Sequence, residues 1–213
     1  MLYLWLIVAA VVAYLLGSIN FAVIFSNAFL KKDVRSLGSG NAGTTNVMRT
    51  AGFLPGALTF ICDALKGFLA CFIGKLIFIY VCPDTVPWIY VAYMCGVACM
   101  LGHVFPIFFR FKGGKGVATS VGIFAVCCPI AIIIGLTVFA LMVFLTKIVS
   151  LSSLIATVTV ISLSLVFYNS DANIALPAVL SISMGVIVFL KHKDNIKRLI
   201  KGEEKKIAVR RKK

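Results

Sequence analysis

Residues 36–46 read SLGSGNAGTTN, a concentration of glycine, hydroxyl and amide groups that is typical of an anion-binding loop. Gly38, Gly40 and Gly43 have the G-x-G-x-x-G spacing of dinucleotide sites, but that motif needs a preceding strand and a βαβ unit, and here an apolar run precedes it. The glycines still let backbone N–H groups approach a ligand, and successive N–H groups form an anion-binding concavity. Arg49, whose guanidinium fork suits phosphate, follows the loop. The segment therefore predicts a phosphate site and not a nicotinamide-cofactor site.

A second glycine-rich segment, KGGKGVAT at 112–119, repeats this composition. Its glycines flank Lys115 just before a predicted helix that begins at Val117, and helix N-termini favour anions. The G-x-x-x-x-G-K-[ST] spacing of a nucleotide-binding P-loop is absent. Such a segment taken alone is more typical of a tight cytoplasmic turn with a lysine on the inner side. Two of them on one face of the membrane favour a site for one or two phosphates.

Further ionisable and amide residues lie within or beside apolar runs. His192 and Asn195 share one helical face just beyond the last run, and His103 lies near the end of another. Each histidine has a functional interpretation and a structural one. The structural role would be capping or bonding to backbone for His103, and a solvated position at the membrane interface for His192. Asp63 and Lys66, three residues apart in an apolar run, can neutralise each other as a structural pair. Ionisable residues inside a membrane are nevertheless candidates for function.

These segments lie in a chain that is 61% hydrophobic, 13% charged and has a mean hydropathy of +1.06. Soluble domains carry roughly a quarter of charged residues, so the composition indicates an integral membrane protein. Backbone in lipid must satisfy its own hydrogen bonds, which predicts helices, and the alternating ten-residue segments of a barrel are absent. All seven cysteines lie in or beside apolar runs, as small buried hydrophobes do. No metal site and no signal peptide are predicted.

Apolar runs near the length of about twenty residues that a crossing needs cover 2–25, 53–81, 87–109, 149–168 and 174–190. A longer stretch between Lys115 and Lys147 is interrupted at Cys127-Cys128-Pro129. It gives one crossing or two, and therefore six or seven in all. The half at 117–128 would be roughly 18 Å long as a helix, so the two helices of this stretch are expected to be short. Lys115 would then lie in a polar pocket within the membrane boundary.

The distribution of charge decides the number of crossings. The formal net charge is +14, and residues 191–213 hold eleven Lys or Arg against three acids. The loops at 31–49 and 110–115 and Lys147 are also basic, whereas those near 82–87 and 169–173 carry only Asp84 and Asp171. Basic loops stay cytoplasmic, so the interrupted stretch must cross twice. We predict an all-α protein with seven transmembrane helices, its N-terminus outside and its C-terminus in the cytoplasm.

The same charge pattern bears on partners. A basic chain can bind nucleic acid, but basic ends beside apolar spans are typical of membrane topology, so no nucleic-acid partner is expected. The predicted domains are a single transmembrane unit at 1–200 and a disordered basic tail at 201–213 that anionic lipid attracts.

Taken together, the polar segments identify a resemblance to a known family, the bacterial membrane glycerol-3-phosphate acyltransferases that use acyl-phosphate as donor. The resemblance covers nearly the whole chain, with several motifs in the same order. They are LGS at 16–18, the loop at 38–49, D-x-x-K-G at 63–67, residues 102–119, SLSS at 150–153 and residues 192–203. Asn20, Ala42 and Thr44 depart from the residues expected there, which are Pro, Pro and Ala.

This resemblance implies a seven-helix enzyme of the bacterial inner membrane with its site facing the cytoplasm. The enzyme would transfer a fatty acyl group from acyl-phosphate to the 1-hydroxyl of glycerol 3-phosphate. The products would be lysophosphatidic acid and phosphate, in the first acylation step of phospholipid synthesis. The family needs no ATP, coenzyme A, metal or other cofactor. Contact with an enzyme that produces acyl-phosphate is also expected.

The resemblance also implies roles for individual residues. The expected catalytic residues are Ser39, Arg49, Lys115, His192 and Asn195. The expected substrate- and phosphate-binding residues are Gly38, Gly40, Asn41, Gly43, Thr45, Asn46, Lys112, Gly113, Gly114, Gly116, Thr119, Ser150, Ser152, Ser153 and Arg198. Asp63, Lys66 and His103 are expected to support them. For the three serines, hydrogen bonds to backbone carbonyls of their own helix remain the alternative.

Two matters stay open at this point. The general base could be His192 or His103, or a phosphate oxygen of the donor could take the proton. A different class of function, a membrane transporter for an organic phosphate, also suits glycine-broken segments and cations on the inner side. Against a transporter, the chain is short and shows no internal repeat. Its three polar motifs, the first at 38–49, the second at 102–119 and the third at 192–203, also lie on one face.

Overall fold

A computed structural model describes residues 2–81, 87–168 and 175–207, and within these ranges the chain is helical and contains no strand. The helices are α1 (Leu2–Gly17), α2 (Phe21–Leu30), α3 (Thr44–Ala51), α4 (Phe53–Val81), α5 (Trp88–Val104), α6 (Val117–Cys127), α7 (Pro129–Thr146), α8 (Val149–Tyr168), α9 (Ala175–Lys191) and α10 (Lys193–Ile200). Two 3-10 turns, Val34–Ser36 and Ile107–Phe109, lie in the connections after α2 and α5. Asp84 and Asp171, on which the prediction of outer loops partly rests, lie outside the described residues.

Five segments of the described chain are long and apolar enough to cross a membrane. They are Tyr3–Leu30, Phe53–Tyr80, Trp88–Phe109, Pro129–Thr146 and Val149–Phe167. The pair α9 and α10, bent by 60°, gives a sixth candidate, and α6 is apolar but only 11 residues long. These helices confirm an all-α protein with apolar spans, while seven crossings and the orientation of the termini stay predictions.

The interruption predicted at Cys127-Cys128-Pro129 separates α6 from α7. Cys128 caps the two helices and Pro129 occupies the first turn of α7, where its missing N–H costs no helical hydrogen bond. The helix α6 is short, as expected, whereas α7 has 18 residues and is as long as a crossing helix.

The first apolar run forms one candidate span, Tyr3–Leu30, as predicted for residues 2–25, but it is not one continuous helix. It breaks at residues 18–20, between α1 and α2. The side chain of Asn20 accepts a hydrogen bond from the Val23 backbone N–H at 3.2 Å and so caps α2. Asparagine is a preferred N-cap residue because its oxygen satisfies an orphan N–H of the first turn. This polar residue starts a new helix within a run that hydropathy alone assigns to one.

Small residues hold the central helices close together. A Cβ atom on Gly17 would overlap the Cys99 carbonyl, and one on Gly102 would overlap the Tyr14 carbonyl, so α1 and α5 touch through their backbones. Gly67 and Gly122 allow the same approach between α4 and α6. Glycine at such contacts is typical of helix packing in membranes. The long helix α4 thereby sits at the centre, against α1, α2, α3, α5 and α6, while α7, α8 and α9 pack beside them.

Candidate active site

The first glycine-rich loop is folded around the side chain of Asn46. Its amide nitrogen donates to the carbonyls of Val34, Leu37 and Asn41 at 2.9–3.1 Å, and its oxygen accepts from the Ser39 N–H at 2.9 Å. Asn46 is 2% exposed, and these contacts use its hydrogen-bonding capacity. Within this structure Asn46, expected to bind phosphate, shapes the loop that would do so.

Two glycines adopt the backbone conformations that this loop requires. Gly38 and Gly40 have φ angles of 60° and 71°, in the left-handed region where a side chain is unfavourable. A Cβ atom on Gly38 would also overlap Asn46 Oδ1. Ser39 in the turn, Thr45 in the first turn of α3 and Arg49 in its last turn are exposed, while Asn41 and Gly43 are partly covered.

A contact that the sequence analysis missed links the two glycine-rich loops. The Arg35 guanidinium binds the Asp33 carboxylate with a closest distance of 2.6 Å and donates to the Phe109 carbonyl at 2.9 Å. The guanidinium lowers the pKa of the Asp33 carboxyl and is the largest cause of that shift. Since Phe109 belongs to the α5–α6 connection, Arg35 fixes the first loop against the second. Its position in a basic loop had suggested only membrane topology.

The second glycine-rich loop is seated on His103. The Gly114 N–H donates to the His103 carbonyl at 3.1 Å. A Cβ atom on Gly113 would overlap that carbonyl, and one on Gly114 would overlap the His103 ring and lie 2.6 Å from the Ala42 carbonyl. Gly116, with φ 87°, then turns the chain into α6. Glycine is needed here because three backbones and a ring meet without room for side chains.

Beyond this loop, Lys115 meets residues from α8, α10 and the tail. Its ammonium donates to Asn195 Oδ1. The Asn195 amide donates to Glu204 at 2.6 Å, Ser150 Oγ donates to the same oxygen at 2.8 Å, and Arg198 Nε donates to the other at 2.6 Å. Four predicted site residues, from the second, serine and third motifs, therefore form one network.

Glu204 is the centre of this network and was not predicted. The sequence signal that could have indicated it is Gly202, whose φ of 70° ends α10 and turns the tail back. Further along, the Ile207 N–H donates to the Lys147 carbonyl at 2.8 Å. The part of the tail that is described, up to Ile207, is mostly exposed and contacts the helices through Glu204 and the Ile207 N–H. Residues 208–213 lie outside the described residues, and a disordered tail stays a prediction.

The electrostatics of the network favour an anion. The pKa of Lys115 is lowered to about 8, and burial is the largest cause. Glu204 and Asp194 act to raise this pKa, and Arg198 and Arg49 act to lower it. Lys115 is therefore still mainly a cation at neutral pH. Its neighbours Arg49 and Arg198 place two more cations around it, against the carboxylates of Glu204 and Asp194. A bound phosphate would relieve the repulsion among the three cations.

His192 lies beside this group, between α9 and α10. Its Nδ1 is 2.8 Å from the Val188 carbonyl, which can only accept, so Nδ1 carries the proton and Nε2 is left with a lone pair. Burial and, next, the Lys115 cation lower the pKa of His192 to about 4. The imidazole is thus neutral and offers one acceptor nitrogen.

Other expected site residues are placed differently. Ser152 Oγ donates to the Ile148 carbonyl of its own chain segment at 2.8 Å, the alternative left open for these serines. Thr119 is fully buried, with its carbonyl against Gly67. Lys112 is exposed at the mouth of the second loop. Asp63 and Lys66 form a buried pair at 2.8 Å beneath His103.

An apolar cleft begins next to the network. It encloses about 510 Å³ of empty space, part of it open to the surroundings. Ser153 and Val117, which follow Ser150 and Lys115 in the chain, line one end. The other lining residues include Phe124, Ile132, Gly135, Met184, Gly185 and Val188. Two of its hydroxyl groups bond to backbone carbonyls nearby in the chain, Ser120 Oγ to Gly116 at 2.9 Å and Thr157 Oγ1 to Ser153 at 2.7 Å. The cleft therefore suits a hydrocarbon chain.

Among the residues that the structure describes, no three His, Cys, Asp or Glu side chains are grouped to hold a metal ion. That the protein uses neither metal nor cofactor stays a prediction.

Comparison with known proteins identifies the family. A family model described as Glycerol-3-phosphate acyltransferase matches residues 7–202. Glycerol-3-phosphate acyltransferase 2 of Bacillus anthracis is 39% identical over 202 residues, 95% of this chain and 99% of that protein. Glycerol-3-phosphate acyltransferase of Francisella tularensis subsp. novicida is 43% identical over 201 residues, 92% of this chain and 90% of that protein.

Solved structures give the same result. The crystal structure of PlsY (YgiH), an integral membrane glycerol 3-phosphate acyltransferase, in its glycerol 3-phosphate form has a TM-score of 0.82 and 33% identity, covering 95% of this chain and 96% of that one. Its lysophosphatidic acid form has a TM-score of 0.79 at the same identity, covering 95% of each chain. With its apolar helices, its matching fold and a family match over most of its length, the chain is a membrane protein that belongs to the glycerol-3-phosphate acyltransferase family.

Proposed function

We propose that this protein transfers a fatty acyl group from acyl-phosphate to the 1-hydroxyl of glycerol 3-phosphate, giving lysophosphatidic acid and phosphate. The observation that carries the proposal is the junction of Lys115 and its two arginine neighbours with the mouth of an apolar cleft. A substrate that joins a phosphate to a hydrocarbon chain fits both parts of that junction. The relatives and solved structures named above support glycerol 3-phosphate as the acceptor.

The glycine-rich loops and their cations would neutralise the donor phosphate. The Ser39 and Gly40 N–H groups are already bonded within the first loop, to Asn46 Oδ1 and the Leu37 carbonyl. The cations Arg49 and Lys115 would therefore be the main groups that favour the negative charge growing on phosphate as it leaves. Loss of one preorganised donor of this kind costs roughly 100- to 1000-fold in rate. The acyl chain would lie in the cleft, whose buried apolar surface contributes about 25 cal/mol per Å² removed from water.

The acceptor, glycerol 3-phosphate, would be positioned by the third motif, residues 192–203. His192, with a free lone pair on Nε2, can accept a hydrogen bond from a glycerol hydroxyl, while Asn195 and Arg198 bind the polar remainder. In the reaction the 1-hydroxyl oxygen forms a bond to the acyl carbon, and the bond from that carbon to the phosphate oxygen breaks.

The proton of that hydroxyl needs a destination. A histidine with a pKa of about 4 is a weak base, whereas a phosphate monoester has a second pKa of about 6. The leaving phosphate is the stronger base of the two. We therefore assign the proton to a phosphate oxygen of the donor and give His192 the task of orienting the hydroxyl.

The setting of this reaction follows from the charge pattern. We infer seven crossings, a single catalytic unit at 1–200, and a site facing the cytoplasm of a bacterial inner membrane. Basic residues of the tail would contact anionic lipid. An enzyme that makes acyl-phosphate, a membrane-soluble donor, is the expected partner, and nucleic acid is not.

The deciding experiment uses purified protein in detergent, palmitoyl-phosphate and radiolabelled glycerol 3-phosphate, with lysophosphatidic acid and phosphate as the measured products. Equal yields of both products would support the proposal, and palmitoyl-coenzyme A in place of the phosphate should give none. Lys115→Met serves as the inactive control, checked for folding by thermal unfolding. Well-folded wild-type protein without product would refute the proposal. Uptake of glycerol 3-phosphate into proteoliposomes without donor would indicate the transporter instead.

A further inference from the structure

Three ionisable side chains are buried together directly beneath the second glycine-rich loop. Asp63 and Lys66 of α4 are 1% and 2% exposed, and His103 of α5 is 5% exposed. Lys66 Nζ lies 2.8 Å from Asp63 Oδ1, and His103 Nδ1 lies 3.5 Å from the same oxygen. None of the three reaches the Lys115 network directly.

This cluster is connected to both ends of the segment that carries Lys115. On the distal side of the cluster, Lys66 Nζ donates to the Ile19 carbonyl at 2.7 Å, in the break between α1 and α2. The neighbouring Ser18 Oγ accepts from the Ile107 N–H at 3.4 Å, at the start of the α5–α6 connection. At the end of that connection, His103 supports Gly114 through its carbonyl and its ring.

Stability alone does not account for these charges. Replacing a buried ion pair by apolar residues of similar volume is often neutral or stabilising, because desolvation offsets the attraction. What the cluster does supply is orientation. Asp63 faces Nδ1 of the His103 ring, while the other ring nitrogen, Nε2, lies against Gly114, one residue before Lys115.

We propose that Asp63 and Lys66 are positioning residues: they fix the ring of His103, which fixes the backbone at Gly113 and Gly114 and thereby the place of the Lys115 ammonium. None of them touches substrate. Since this role presupposes the acyl transfer proposed above, wild-type activity is the first measurement to make. A wild type without activity refutes that transfer and leaves the positioning role to be judged by hydrogen exchange.

The test separates positioning from folding with a charge-balanced double variant. Asp63→Asn with Lys66→Met removes the ion pair without leaving a buried charge, and the unfolding temperature in detergent should stay near that of wild type or rise. We expect kcat to fall about 10- to 100-fold, the range for residues that orient a functional group. His103→Leu, which leaves the ion pair intact, should show the same loss. Thr59→Val is the matched control, since this buried hydroxyl of α4 donates within its own helix, to the Pro55 carbonyl at 2.8 Å.

Two readouts distinguish positioning from a general loss of structure. A loosened loop admits water to Lys115, so its pKa rises from about 8 and the alkaline fall of kcat/KM moves to higher pH. The charged and titratable groups that face Lys115 are Glu204, Arg198, Asp194, Arg49 and His192, and none of them is altered. Amide hydrogen exchange should accelerate at residues 110–116 in both variants and stay unchanged in Thr59→Val. Variants with wild-type kcat, pH profile and exchange would overturn the inference.

Discussion

Replacing Glu204 with glutamine removes one negative charge from the centre of the site network while keeping the side chain's size. The carboxylate accepts from Ser150, Asn195 and Arg198 at 2.6–2.8 Å, and its side chain is 8% exposed. Glutamine keeps one acceptor oxygen but presents an N–H₂ group where one of the three donors now binds. At least one of these contacts must therefore be lost or reversed.

The size of the effect follows from these contacts. A hydrogen bond to a charged group contributes about 1.5–3 kcal/mol. The Arg198 side chain is 38% exposed, so water replaces part of what it loses and the lower end applies. We expect a loss of about 1–2 kcal/mol in the free energy of unfolding at neutral pH. Burial raises the pKa of Glu204, but the three hydrogen bonds together outweigh it and the pKa lies below its ordinary value. This stabilisation is therefore present above the unfolded pKa and is lost as pH falls through the lower folded value.

The same substitution should change how activity depends on pH. Glu204 is the main charge that raises the pKa of Lys115 against the effect of burial. In Glu204→Gln that pKa should fall below about 8, and kcat/KM should begin to decline at a lower pH than in wild type. The assay is lysophosphatidic acid formation from about pH 6 to pH 9.5, a range that brackets the lysine transition.

Glu203→Gln is the matched control, because Glu203 is exposed and only its backbone N–H contacts Arg198, at 2.8 Å to the carbonyl. It should leave the unfolding temperature and the pH profile unchanged. If Glu204→Gln matched this control in both measurements, Glu204 would not organise the site, and the network would have no functional consequence.

Three other outcomes are expected. In Lys115→Arg the guanidinium stays charged, so the alkaline decline of kcat/KM near pH 8 should disappear, while the maximal rate should be lower than in wild type. If the decline persisted, it would belong to another group. Asn46→Ala should lower the free energy of unfolding by about 2–3 kcal/mol, since it leaves several buried loop groups unpaired. Thr45→Ala, at an exposed position of the same helix, should leave it unchanged, and equal melting temperatures for the two variants would contradict this prediction. Gly185→Ala places a methyl group against Ile161 in the cleft and should shift donor preference towards shorter acyl-phosphates, measured as kcat/KM from decanoyl to palmitoyl. Val179→Ala, at an exposed position of α9 outside the cleft, is the control, and an unchanged preference in Gly185→Ala would place the acyl chain elsewhere.

Much of the architecture could be predicted because the hydrocarbon core of a membrane offers no hydrogen-bond partners to the backbone. Long apolar runs must be helices, and α4, α5, α8 and the separate helices α6 and α7 lie close to their predicted bounds. The span predicted at 2–25 is confirmed within the apolar segment Tyr3–Leu30. The break at residues 18–20 was not predicted, because a polar cap at Asn20 is a local feature that window-averaged hydropathy does not register. The resemblance to an acyltransferase family was confirmed by the comparisons.

The candidate site was predictable as residue types but not as contacts. Glycines that expose backbone N–H groups and cations that suit phosphate are recognisable from the sequence, because their chemistry does not depend on the partner. The hydrogen-bond partners of these residues cannot be recognised from the sequence. Asn46 turns inward, Arg35 links two loops, and Glu204 from the tail reaches Ser150 across 54 residues of chain. Such pairings are fixed by helix packing far from the residues involved.

For this protein the sequence alone thus indicated that the chain lies in a membrane, that it is helical, and that the segment SLGSGNAGTTN has the composition of an anion-binding loop. Only the tertiary structure decided which donors in that segment are already used, and that His103 and the buried Asp63–Lys66 pair lie beneath Lys115. The physical reason is one of range. Hydropathy and backbone freedom act within a few residues, whereas hydrogen-bond partners in a helical membrane protein come from helices distant in the chain.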